Sequence, residues 1–155
     1  MKTLTTPADA PEEAVIAEAA DVLRKGGVVA YPTDTLYGLA VDPRQDDAVA
    51  RLYALKGREA WSAVTLIAAS LAQAQLAAIT GPVELRLARV FWPGPLTIVV
   101  PAQPGLSPAV LGEGTTVGVR VPSHAVARAL AAAFGFCITA TVSYTHLTLP
   151  TTERV

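Results

Sequence analysis

Thr33, Asp34 and Thr35 follow an apolar run at 28–31 and a proline, and Lys56 and Arg58 flank Gly57 at the end of the next amphipathic segment. Hydroxyls just past a strand end, combined with two fixed cations at a helix terminus, suit a cleft that grips a polyanion. The same residues also have plain structural readings. Threonines in a turn cap backbone groups, and Lys or Arg near a helix carbonyl end is a common solvated arrangement. Arg120 stands between Val119 and Val121, where an unpaired charge is costly. It therefore points toward a carboxylate, either one bound in a cleft or an internal Asp or Glu. Tyr31, Tyr37, Phe91 and Trp92 read as packing aromatics, and Gly38 allows close approach to the backbone. His124 reads as a structural or rim residue, and Trp61 as a rim aromatic with stacking on adenine as the alternative.

Other chemistries lack their residues. There is no G-x-x-x-x-G-K-[ST] loop, no G-x-G-x-x-G after the first strand, no His-Glu-x-x-His and no Gly-x-Ser-x-Gly elbow. Cys137 is the only cysteine, so no disulfide within the chain and no cysteine metal cluster can form. Its apolar neighbours, Phe136 and Ile138, mark it as a buried thiol rather than a nucleophile. A net charge of -1 from 12 basic and 13 acidic residues confines any RNA contact to a local groove. Apolar stretches are too short to span a membrane and the first residues do not form a leader, so the expectation is a cytoplasmic protein with no membrane partner.

The positioning elements alternate. In 155 residues of which 52% are hydrophobic there is material for one core, and the pattern predicts a single α/β (α+β) domain with a mixed sheet. Pro11, Glu12 and Glu13 open a helix that Gly26 and Gly27 stop, and strands are expected at 28–31 and 36–41. Asp46 and Asp47 begin a helix that ends at Gly57, followed by a strand at 64–68. Ser70 caps a short helix to Ala78, and Pro82 starts another to about Val90. The rigid 91–95 turn leads to a strand at 96–100, then a Pro/Gly-rich loop at 101–115. A strand at 116–121, a helix capped by Ser123 and running to Phe134, and a strand at 137–141 complete the pattern.

Four segments in order, Tyr31-Pro32-Thr33-Asp34-Thr35-Leu36-Tyr37-Gly38-Leu39, Lys56-Gly57-Arg58, Phe91-Trp92-Pro93-Gly94-Pro95-Leu96-Thr97 and Val117-Gly118-Val119-Arg120-Val121-Pro122-Ser123-His124, resemble the YrdC/Sua5 family from about residue 12 to 141. The resemblance implies a twisted mixed sheet with flanking helices, YrdC/RibB-like, around a concave cleft. It further implies L-threonylcarbamoyladenylate synthase activity, a nucleotidyl transfer from ATP, L-threonine and bicarbonate with release of pyrophosphate, serving t6A modification of tRNA. Mg²⁺ would arrive with ATP, and downstream t6A-transfer proteins and tRNA are the implied partners. By the same resemblance Lys56 and Arg58 are the catalytic phosphate clamp, with Ser62, Thr116 and Thr141 also at ATP. Thr33, Thr35, Arg120 and Thr139 would hold threonine.

The sequence departs from the family in two places. Glu59 stands where a proline usually follows the Lys-x-Arg, and Ser62 where a polar or basic residue is usual. After Thr141 the family continues into a Ser-Ala-Asn motif, whereas here residues 142–155 turn abruptly Thr-rich. That tail resembles translated sequencing-adapter sequence more than a protein element. The expectation is therefore a YrdC-like domain at 1–141, C-terminally incomplete, with weak or no synthase activity. Two other readings stay open: a non-catalytic module binding double-stranded RNA or tRNA, which a pI near 6.1 speaks against, and a HypF-type carbamoyl-adenylating domain.

Overall fold

In the computed structural model the described residues are 2–34, 36–57, 64–112 and 114–142. Thr35, Arg58, Glu59, Trp61, Ser62 and the tail at 143–155 lie outside them. Within them the predicted alternation is present, as one mixed α/β domain built on a six-stranded sheet.

Helix α1 (Glu13–Arg24) forms because Ile16, Ala19, Ala20 and Leu23 recur at helical spacing and bury one stripe. Its start is tied by the Glu12 N–H donating to Thr6 Oγ1 at 2.6 Å. Gly26 then turns the chain at φ +80°, a conformation glycine adopts without strain. Strands β1 (Val29–Tyr31) and β2 (Gly38–Ala40) pair antiparallel. Helix α2 (Asp46–Lys56) leads to β3 (Thr65–Ile67), and the short α3 (Leu71–Ala74) to α4 (Pro82–Phe91). Strand β4 (Ile98–Pro101), a 3₁₀ turn at Pro108–Leu111, β5 (Thr116–Arg120), α5 (Ala125–Phe134) and β6 (Ile138–Val142) follow.

The sheet order is β1-β2-β6-β3-β5-β4. Of the pairs between these strands, β3 with β5 is parallel and the others are antiparallel. Strand β6 thus lies in the sheet interior, with Val142 opposite Gly38 and Ala140 opposite Thr65. One face packs against α1 and α5 through Val29, Tyr31, Ala40, Ile67 and Ile138. The other packs Leu39, Val41, Leu66, Val117 and Val119 against Val49 and Leu52 of α2, Ala88 of α4 and Val110 of the 3₁₀ turn. Each such fully buried aliphatic side chain contributes about 1.5–3 kcal/mol, so both helical layers are firmly held to the sheet. No helix among the described residues is long and apolar enough to cross a membrane.

Several elements differ from the sequence-based expectation; β4, for one, begins at Ile98 rather than at residue 96. Helix α3 stops at Ala74 rather than Ala78, because Ala78 is drawn into a bridge with Ala102 and the Gln103 N–H donates to the Ala77 carbonyl. Strand β2 begins at Gly38 rather than at residue 36, since Thr33 Oγ1 donates to the Leu36 carbonyl and keeps the turn going. Ser123 does not cap α5. His124 does, its Nδ1 accepting from the Val126 N–H at 3.2 Å.

Candidate functional site

Residues opposite one another on neighbouring strands share a face, and residues two apart on one strand share it too. The register therefore sets Ala140, Thr65, Gly118 and Val99 in one row across β6, β3, β5 and β4. This row lies on the face that carries α1 and α5, beyond Ile67 and Ile138. Ala140, Thr65 and Gly118 are only half-buried and Val99 is 66% exposed, so the row stays open. Gly38 continues the same face on β2. The result is a patch of sheet floored by small side chains. A Cβ on Gly118 would sit 3.1 Å from Thr97 Cγ2 and 3.6 Å from Thr65 Oγ1, whereas glycine leaves that volume free.

Arg120 rises from this face at the end of β5, opposite Ile67. It is half-buried, its Nε is enclosed by protein and has no hydrogen-bond partner, and it joins none of the ion pairs among the described residues. An enclosed guanidinium N–H without an acceptor costs free energy that a bound carboxylate would recover. Tyr31 is fully buried beside it and donates its hydroxyl to the Thr139 carbonyl at 2.8 Å. Burial pushes the Tyr31 phenol far above its ordinary range, with the Arg120 guanidinium pulling weakly the other way, so Tyr31 is a neutral donor.

The turn after β1 brings Thr33 and Asp34 toward this face. The Asp34 carboxylate accepts from the Ser123 N–H at 2.9 Å and from Ser123 Oγ at 2.8 Å. Ser123 lies just past Arg120, so the turn from the β1 edge is joined to the far end of β5. Asp34, Thr65 and Gly118 are not among the site candidates read from the sequence. Their signal was positional: Gly118 shares a face with Arg120 two residues on, but the partner strands were needed to see the row.

Lys56 closes α2 on the opposite layer, half-buried and without an ion pair among the described residues. The next described strand, β3, starts at Thr65 in the floor row. Because β5 runs parallel to β3, the exposed Thr116 starts β5 at that same end. Arg58, Ser62 and Thr35 lie outside the described residues.

Thr139 and Thr141 are not brought to the Arg120 side. Thr139 aligns with Leu66 and Thr141 with Leu39, so strand alternation turns both into the α2 layer. Thr139 Oγ1 donates to the Leu39 carbonyl and accepts from the Val41 N–H, both at 2.9 Å, with no exposed surface left. Thr141 is 5% exposed and its hydroxyl has no partner among the described residues. The Thr139 hydroxyl is thus committed within the sheet, and the Thr141 side chain faces the α2 layer. Cys137 is buried, donates to the Gln73 carbonyl at 3.4 Å and is pushed up by burial to about 12, which fits an inert thiol.

Residues 21–151 match the model of the Sua5/YciO/YrdC family, described as telomere recombination. The chain is 46% identical over 129 residues to the threonylcarbamoyl-AMP synthase of Halorhodospira halophila, covering 81% of the chain and 66% of that protein. It is 40% identical over 129 residues to the threonylcarbamoyl-AMP synthase of Bacillus subtilis, covering 81% of the chain and 37% of that protein. The chain thus spans less than two thirds of the length of these relatives. Among solved structures, P. abyssi Sua5 complexed with L-threonine superposes with a TM-score of 0.79 at 38% identity, covering 84% of this chain and 39% of that one. Full-length HypF shares the fold, with a TM-score of 0.71 at 23% identity, covering 85% of this chain and 21% of that one.

Proposed function

The chain belongs to the Sua5/YciO/YrdC family, and from that premise we propose that it carries the substrate-binding unit of an L-threonylcarbamoyladenylate synthase. One observation carries this reading. Arg120 holds an enclosed, unpartnered guanidinium N–H over a floor of glycine, alanine and threonine, the arrangement an amino-acid carboxylate needs. The P. abyssi relative that shares the fold was solved with L-threonine bound.

In this reading the threonine carboxylate pairs with Arg120, Thr33 and Thr35 lie along the amino acid, and Tyr31 keeps the wall neutral. The threonine amine adds to the carbon of bicarbonate, water leaves, and a carbamate oxygen attacks the α-phosphorus of ATP as the bond to pyrophosphate breaks. No protein nucleophile is involved, so the catalytic task is positioning and charge. Lys56 and Arg58, with Ser62 and Thr116 nearby in sequence or at the same sheet end, neutralise the departing pyrophosphate. Among the described residues no group of His, Cys, Asp or Glu is placed to cage a metal. Mg²⁺ arriving on the ATP phosphates would supply further charge neutralisation there. The product would feed t6A modification of tRNA through separate transfer proteins in the cytoplasm.

The test is threonine-dependent pyrophosphate release, measured for this chain and for residues 1–141 fused to the C-terminal third of the Halorhodospira relative. The fused protein should release pyrophosphate only with ATP, bicarbonate and threonine together, and Lys56→Ala or Arg120→Ala should cut that rate at least about 100-fold. Release without threonine, or silence of both substitutions, overturns the assignment. Carbamoyl-phosphate-dependent AMP formation would move it to the HypF type.

A further inference from the structure

We propose that Asp34 is a positioning residue, whose two-point attachment to Ser123 fixes the turn after β1 against the Arg120 face and thereby sets affinity for the amino acid. The inference deepens the reading above and rests on it. The geometry is specific. Asp34 Oδ2 accepts from the Ser123 N–H at 2.9 Å and Asp34 Oδ1 from Ser123 Oγ at 2.8 Å, so each carboxylate oxygen has its own donor. Such charge-assisted pairs are stronger than neutral ones and, with two contact points, fix an orientation as well as a distance.

The attachment joins segments far apart in the sheet. Asp34 leaves from β1, at one edge, and Ser123 follows β5, with β2, β6 and β3 between. Ser123 is also on the segment that continues directly from Arg120, so the bond references the turn to the guanidinium itself. Ser123 takes no part in capping α5, since His124 Nδ1 does that. Its hydroxyl and N–H are thereby left for Asp34. Both residues are surface-exposed at this contact, so the pair adds little to global stability. Its effect falls on the local order of Thr33 and its neighbours.

The test compares wild type with Asp34→Asn, Ser123→Ala and the double variant, using L-threonine and ATP as separate probes in calorimetry and hydrogen exchange on the peptide spanning 32–37. Asparagine keeps the shape but cannot accept at both atoms. The expected result is about a tenfold loss of threonine affinity for Asp34→Asn, with ATP affinity within about twofold and the melting temperature within about 3 °C. Ser123→Ala should lose less, because its N–H remains. The double variant should be no worse than Asp34→Asn alone, as for two groups acting through one contact. Exchange in the 32–37 peptide should quicken at least about tenfold in Asp34→Asn, with α1 and α5 peptides unchanged. Unchanged exchange at 32–37, fully additive losses, or threonine and ATP affinities falling together overturn the proposal. A wild type that binds no threonine overturns the functional reading instead, and the exchange result then decides on the attachment alone.

Discussion

Replacing Thr139 with valine tests whether this residue serves the fold or a ligand. The side chain keeps its shape and loses only the hydroxyl. In the structure that hydroxyl accepts from the Val41 N–H and donates to the Leu39 carbonyl, at a position with no exposed surface. Removing it leaves a buried N–H without its partner, at about 1–3 kcal/mol, and a carbonyl short of one donor, at up to about 1 kcal/mol. The added methyl returns about 0.8 kcal/mol of burial. The net expectation is a loss of about 2 kcal/mol, which is about 4–8 °C in melting temperature for a domain of this size. Urea unfolding should show a lower midpoint with unchanged slope. Thr139→Ser, which keeps the hydroxyl, should lose less. At temperatures where the variant is folded, threonine affinity should match wild type. A Thr139→Val protein as stable as wild type, or one that is folded but no longer binds threonine, refutes the reasoning.

Arg120→Met should abolish threonine binding by calorimetry while leaving the melting temperature equal or higher, because the enclosed Nε has no partner to lose. A large drop in stability would instead reveal an internal ion-pair role. Gly118→Val should fill the open floor beside Thr97 and Thr65 and weaken threonine affinity at least about tenfold, with unfolding free energy changed by no more than about 1 kcal/mol. The Cys137 thiol is raised from 9.0 to about 12 in the fold. Between those pH values the unfolded chain has released a proton that the folded chain keeps, so stability falls as pH rises, by about 1.4 kcal/mol per unit. Below pH 9 this contribution is fully present, and Cys137→Ala should show a shallower loss in urea titrations between pH 9 and 11.

Much of the architecture was legible because local patterns and tertiary packing agree. The stripe of Ile16, Ala19, Ala20 and Leu23 and the Gly26 stop gave α1 almost to the residue. Disagreements arose where a partner distant in sequence competes for the backbone. Ala78 leaves its helix for Ala102, and Ser123 donates its hydroxyl to Asp34 instead of capping α5, contacts that no local window contains. The site follows the same division. Arg120 was legible as a charge in an apolar strand, since that conflict is visible locally. The family resemblance groups Thr139 and Thr141 with the ligand contacts, and only the register, which aligns them with Leu66 and Leu39, shows that they face the other layer.

The two faces of β6 explain why this strand matters to the proposed chemistry. Its Ile138 packs under α1 and α5 and its Ala140 lies in the open floor, while Thr139 is bonded to β2 by its hydroxyl on the opposite face. The Thr139 carbonyl also accepts from Tyr31, the residue that walls Arg120. A binding face floored by small residues forgoes the side-chain burial that would otherwise hold neighbouring strands together. Here the compensation comes from behind and beside the floor. Thr139 fastens β6 to β2 by side chain as well as backbone, and Tyr31 fastens β1 across to β6. The polar groups of Thr139 and Tyr31 are thus spent on the sheet, while Arg120 on the open face keeps an Nε–H without a partner among the described residues.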